Sequence, residues 1–145
     1  MAYRQLIIAR RDLEIGAGKL AAQVSHAALV WFTTNIELGA RRKKSGNYAI
    51  SMEIEKDMYE EWFKDFTTTV CEAKNRNHLL KAKEIAESLG LQENVDFFLI
   101  KDNCLTELEP EEYENGIGKT LTAIGFSPLP DSIAQSISKK YNLYK

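Results

Sequence analysis

The chain has 145 residues, of which 44% are hydrophobic and 28% charged, with a formal net charge of −2; this is room for one domain with one core. Its apolar runs, such as QLIIAR and ALVWF, are too short to span a bilayer, and MAYRQLIIARRD lacks the apolar stretch of a signal peptide. Two cysteines without CxxC spacing and two histidines argue against a zinc site, so the composition predicts a cytoplasmic protein with free thiols, no membrane association and no metal.

In chain order, Gln5–Arg10 is apolar and branched, as in a buried strand. From about Gly18 to Leu38, Leu20, Val24, Ala27/Ala28 and Trp31 recur at helical spacing. RRKKSGN interrupts the pattern with turn chemistry, and YAISMEIE then alternates, with Tyr48, Ile50, Met52 and Ile54 on one face of a half-buried edge strand or hairpin. Met58, Trp62 and Phe66 mark a short amphipathic helix begun by Asp57. TTTVCEA is a β-branched strand, and NRNHLLKAKEIAESLG is a helix with asparagine caps and a glycine stop. DFFLIKD and KTLTAIGF are strands, and a helix capped by Asp131 closes the chain. Strands alternating with helices predict a single three-layer α/β/α domain around a mostly parallel sheet of about four to five strands.

Charge is unevenly spread. Residues 1–50 carry eight Lys/Arg against three Asp/Glu, and the remainder eleven against eighteen. The basic half includes Arg10, Arg11, Lys19 and the run RRKK at 41–44, which can present a positive face to a polyanion. A solvated helix end or loop is the commoner origin of such a run.

GAGK, at residues 16–19, sits where the first strand hands over to the first helix. A cation in a first helical turn is unfavourable by roughly 0.3–1 kcal/mol when exposed. Broken local rules mark candidate sites, and free helix N–H groups beside an ammonium form an anion cradle. A nucleotide-binding P-loop is excluded, because Leu13 stands where its first glycine belongs and Leu20 where its magnesium ligand belongs. Ligands in α/β sheets bind beyond the carboxyl ends of strands. Lys19 and Asp102 both follow such ends.

ARRDLEIGAGKLAAQVSHAAL resembles the opening of the second, archaeal and eukaryotic, type of peptidyl-tRNA hydrolase: a strand, R-x-D-L, a glycine/lysine turn and a helix beginning G-K-[IL]-A-A-Q-x-S-H-A. VCEAKNRNHLLKAKEIAESLGL is similar to that family's second strand and next helix. FFLIKDNCLT is similar to its strand ending in D-A-G-[RK]-T, and GKTLTAIGFSPLPDSIAQSISKKYNLY to its T-x-L-A-I-G-P strand and terminal helix. The resemblance covers about two-thirds of the chain. It does not extend to an insertion at about 41–56 or to an acidic loop insertion at about 107–117, and Cys104-Leu105 stands in place of the family's Gly-Arg.

The resemblance implies a compact domain with a mixed sheet, a homodimer, no cofactor, and hydrolysis of the ester joining a peptide to tRNA. It places Lys19, Asp102, Thr106 and Thr120 in the catalytic site. The types suit the chemistry: an ammonium beside helix N–H groups stabilises a charged carbonyl oxygen, and a carboxylate and hydroxyls orient water. Arg10, Gln23 and His26 are candidate substrate-binding residues. His26 lies seven residues after Lys19, on the same helical face, although its small neighbours also suit a buried, hydrogen-bonded imidazole. Cys104 could act as a nucleophile or simply fill a tight loop. Five glutamates between Glu107 and Glu114 would repel a polyanion unless the loop points away. The alternative to an esterase is a member without turnover that binds RNA or protein.

Overall fold

A computed structural model describes residues 2–145. The elements are β1 (Tyr3–Arg10), α1 (Ala17–Leu38), β2 (Ala40–Arg42), β3 (Tyr48–Ile50), α2 (Lys56–Trp62), β4 (Thr68–Ala73), α3 (Arg76–Ser88), β5 (Phe97–Asp102), β6 (Glu112–Glu114), β7 (Ile117–Phe126), β8 (Leu129–Pro130), α4 (Asp131–Ser138) and β9 (Asn142–Leu143). The long elements match the sequence periodicities. Strands β6, β8 and β9 have two or three residues each, too few to show a period.

The main sheet runs β5-β7-β1-β4-β9, with β6 on β7 and β8 on β1, seven strands rather than four or five. It is mixed, as the resemblance implied, but not mostly parallel. Among the strands of the described residues only β1 and β4 pair in parallel; β1–β7, β5–β7, β4–β9, β6–β7 and β1–β8 are antiparallel. The reason lies in the connections. No helix separates β5 from β7, and parallel neighbours are usually joined through a crossover helix, whereas this connection carries only the short strand β6 that folds back on β7. β1, β4 and β5 nevertheless point the same way, so Arg10, Ala73 and Asp102 end at one rim of the sheet.

Central β1 is buried on both faces, which is why it reads as a continuous apolar run. Leu6 and Ile8 pack on one side with Leu79 and Ala82 of α3 and Ile137 of α4. Ile7 and Ala9 pack on the other with Ala27 and Trp31 of α1 and Trp62 of α2. Each fully buried leucine or isoleucine among them contributes about 1.5–3 kcal/mol. The layers are therefore helix, sheet, helix. On the α1 side the approach is unusually close: a Cβ on Gly125 would lie 2.0 Å from the Ala27 carbonyl oxygen.

The alternating segment 48–55 is a strand only at Tyr48–Ile50, where it pairs with β2 in a separate hairpin. Residues 51–55 have no neighbouring strand and run irregularly back towards α2, with Met52 packed against the α1 core. Helix α3 is capped as expected, the Asn75 side chain accepting from the His78 N–H. In α4 the cap position is Pro130, and Asp131 lies in the first turn instead.

Candidate active site

The rim formed by the ends of β1 and β5 is where the sequence places its two outlying charges. Lys19, in the first turn of α1, donates from Nζ to Asp102 Oδ1 at 2.7 Å. Asp102 is the last residue of β5. Its Oδ1 also accepts from Gln23 Nε2 at 3.2 Å, and its Oδ2 from the Cys104 backbone N–H at 2.8 Å. The lysine and aspartate side chains retain 17% and 11% of their exposure, so the pair is mostly but not wholly withdrawn from water. Burial opposes ionisation of Asp102, but Lys19, the Cys104 N–H and Gln23 outweigh it and hold the carboxyl below its ordinary range. The ammonium has three donors and spends one on Asp102.

Gln23 is buried and is itself held in place: its Oε1 accepts from Thr122 Oγ1 at 2.7 Å. Thr122 is the extra residue of a β-bulge. Ile100 pairs with Ala123 and Lys101 with Leu121, so Thr122 has no partner across the ladder and turns its hydroxyl to α1. Nothing in TLTAIG distinguishes Thr122 from Thr120, and the sequence does not single it out.

A cleft of about 300 Å³ opens over the ion pair, lined by Lys19, Gln23, His26, Asp102, Leu105 and Thr106. His26 is exposed on its wall, which corrects the reading of a buried imidazole and leaves substrate contact open to it. Thr106 is exposed at the mouth.

Thr120 is not in the cleft. It is fully buried; its hydroxyl donates to the Glu109 carbonyl at 2.6 Å and accepts from the Glu111 N–H at 3.2 Å and the Cys104 thiol at 3.3 Å. Cys104 itself sits at φ +58°, in the left-handed region, which explains why the related motif carries glycine there.

Arg10 is likewise withdrawn. Its guanidinium is buried, bonded twice to Asp12 at 3.0 and 2.8 Å, to Glu111 at 2.7 Å and to the Leu121 carbonyl at 2.9 Å. Four of its five N–H groups are thereby engaged, and it presents no free fork to the cleft. Glu111 is held below its ordinary range, chiefly by the Arg10 hydrogen bond.

The acidic loop folds onto the protein's own cations. Glu111 also meets Arg76 at 3.2 Å, and Glu112 and Glu114 both meet Lys101, at 3.2 and 2.8 Å. Glu107 accepts from the Gly16 N–H at 3.1 Å. The loop carboxylates are thus largely neutralised rather than aimed at an incoming anion, and so are the nearby cations. A larger cleft, about 660 Å³, lies on the opposite flank of the α1 start between Arg11, Leu20 and Tyr144, and contains neither Lys19 nor Asp102. Among the described residues no three His, Cys, Asp or Glu side chains gather as metal ligands, and no helix is long and apolar enough to cross a membrane.

The family model for peptidyl-tRNA hydrolase PTH2 matches residues 3–144. The chain is similar to a peptidyl-tRNA hydrolase of Methanopyrus kandleri, with 35% identity over 87% of this chain and 84% of that one. It is similar to that of Staphylothermus marinus at 32% identity over 88% and 84%, and to that of Thermoplasma acidophilum at 28% over 99% of both chains. With the strand-end ammonium and carboxylate joined in one cleft and the match running almost end to end, the chain belongs to the PTH2 family of peptidyl-tRNA hydrolases.

Proposed function

We propose that this chain hydrolyses the ester between a peptide's carboxyl end and the ribose of tRNA. The observation that carries the reading is the Lys19–Asp102 pair at the floor of a cleft, with two ammonium donors left over. As water adds to the ester carbonyl carbon, the carbonyl oxygen gains negative charge, and the spare Lys19 donors stabilise it. The carbon–oxygen bond to the ribose then breaks, and the proton lost by the water passes to the ribose oxygen. Asp102, kept ionised, fixes the ammonium and accepts from the water; Thr106 at the mouth positions that water. His26 contacts the substrate from the wall. Gln23 acts through Asp102, and Arg10 and Thr120 act through the acidic loop, as positioning residues rather than substrate ligands.

The same reading carries a cytoplasmic setting and a homodimer. The surface that suits a second copy is the apolar hollow of about 450 Å³ beside Leu29, Phe32, Phe63 and Phe66 on the far flank of α1. The test of function is release of N-acetylated amino acid from N-acetyl-aminoacyl-tRNA by purified protein. Lys19→Ala abolishes release while thermal unfolding stays cooperative. No release at stoichiometric wild-type enzyme removes the esterase reading.

A further inference from the structure

Most cations near the cleft are matched to carboxylates: Lys19 to Asp102, Arg10 to Asp12 and Glu111, Arg76 to Glu111, Lys101 to Glu112 and Glu114, while Lys119 is held by the Asn103 side chain instead. The phosphates of a large polyanion therefore find little uncompensated charge there. The opposite holds at the far end of α1. Arg41, Arg42, Lys43 and Lys44 are all exposed. Among the described residues none of the four has a carboxylate oxygen within 4.0 Å.

These cations are not on a loose tail. Arg42 pairs with Tyr48 and Arg41 with Ala49 across the β2–β3 ladder. The turn is closed by Lys43 N–H to the Asn47 carbonyl at 2.7 Å and Gly46 N–H to the Lys43 carbonyl at 2.9 Å. The base is fastened where Ser51 N–H donates to the Gly39 carbonyl at 3.1 Å, so close that a Cβ on Gly39 would fall 1.8 Å from the Ser51 carbonyl oxygen. Tyr48, directly opposite Arg42, is 62% exposed. An aromatic ring kept in water beside an unpaired guanidinium contributes nothing to the core. It is the pairing that nucleic-acid surfaces use, the cation for phosphate and the ring for sugar or base.

We propose that the β2–β3 hairpin is a second RNA contact of this protein, gripping the sugar-phosphate backbone of the tRNA body away from the scissile ester. The inference rests on the hydrolase reading above and deepens it. Helix α1 sets the spacing: twenty residues separate Lys19 from Gly39, roughly 30 Å at the helical rise. That span is on the order of one duplex turn, so one contact at the acylated end and one further down the same arm are geometrically compatible. The face of α1 that carries Lys19 and His26 continues through Thr33 towards the hairpin, and Glu37 is the lone acid on the helix.

The experiment compares wild type, R41Q/R42Q/K43Q/K44Q and the charge-keeping R41K/R42K, using N-acetyl-aminoacyl-tRNA and a fragment limited to the acylated CCA end. With two or three phosphates contacted, the wild-type loss in kcat/KM on intact tRNA between 50 and 200 mM salt exceeds that of the glutamine variant by about ten- to fortyfold. The ratio of kcat/KM for intact tRNA over fragment falls in the glutamine variant and is restored in the lysine variant. Equal salt slopes for wild type and glutamine variant overturn the proposal. So does a variant that loses binding to phosphatidylserine vesicles while its tRNA slope is unaltered, which reassigns the hairpin to a membrane. Should the wild type release no acyl group, the hydrolase reading fails separately. Fluorescence anisotropy with deacylated tRNA and the same salt series then decides the hairpin.

Discussion

Asp102 is surrounded by donors alone, and that makes Asp102→Asn a demanding substitution despite its identical shape. The Lys19 ammonium and Gln23 amide face Oδ1, and the Cys104 N–H faces Oδ2. An asparagine must turn its NH2 group towards one side or the other, so at least one donor meets a donor. The orientation that keeps Lys19 satisfied forfeits a charge-assisted bond from Cys104, worth about 1.5–3 kcal/mol, and also discards the ion pair. Discounted for the remaining exposure of the two side chains, the sum is about 3 kcal/mol. A 145-residue domain has an unfolding entropy near 0.3 kcal/mol/K, so Tm falls by about 10 °C. The kcat/KM for N-acetyl-aminoacyl-tRNA falls by at least about a hundredfold. Calorimetry and acyl release read the two effects, and a cycle with Lys19→Met reads their coupling. A Tm within about 3 °C of wild type, with activity within threefold, would refute the donor-only environment.

Three further outcomes are expected. Gly125→Ala lowers stability by about 3 kcal/mol, because its Cβ meets a main-chain oxygen at 2.0 Å and neither backbone can yield cheaply; an unchanged Tm would show that α1 does not seat there. Cys104→Gly relieves a left-handed residue and raises stability by about 1 kcal/mol, whereas Cys104→Val lowers it, a sign reversal read by chemical denaturation. Asp102 and Glu111 bind protons less readily folded than unfolded. Their contribution is therefore complete above their ordinary values of 3.8 and 4.5 and drains away as pH falls below them, so Tm drops steeply on acidification in wild type and less in Glu111→Gln.

Local pattern carried much of this molecule. The apolar run of β1, the 3.6-residue period of α1 and the asparagine cap of α3 are each local statements, and each survives in three dimensions. The meeting of Lys19 and Asp102 was legible because both follow strand ends that point the same way. Strand direction elsewhere was not, since β7 slots between β5 and β1 through contacts no short window encodes. Charge partners were also hidden. Arg10 reads as a free cation next to its neighbours, yet its counter-ion Glu111 lies 101 residues away. Thr106 and Thr120 look equivalent as hydroxyls, but only burial separates a residue at the cleft mouth from one that ties down a loop.

The touching main chains of Ala27 and Gly125 have an evolutionary corollary. A helix spaced from its sheet by side chains drifts whenever one of them changes size. Here the standoff is gauged by two backbones, so the lysine's reach is insulated from the bulk of the residues on the helix's outer flank. The outward residues of that flank, Leu29 and Phe32, are free to diversify towards new neighbours, or to be redesigned for tethering, without retuning the reaction centre, whereas Trp31 between them stays committed to the core.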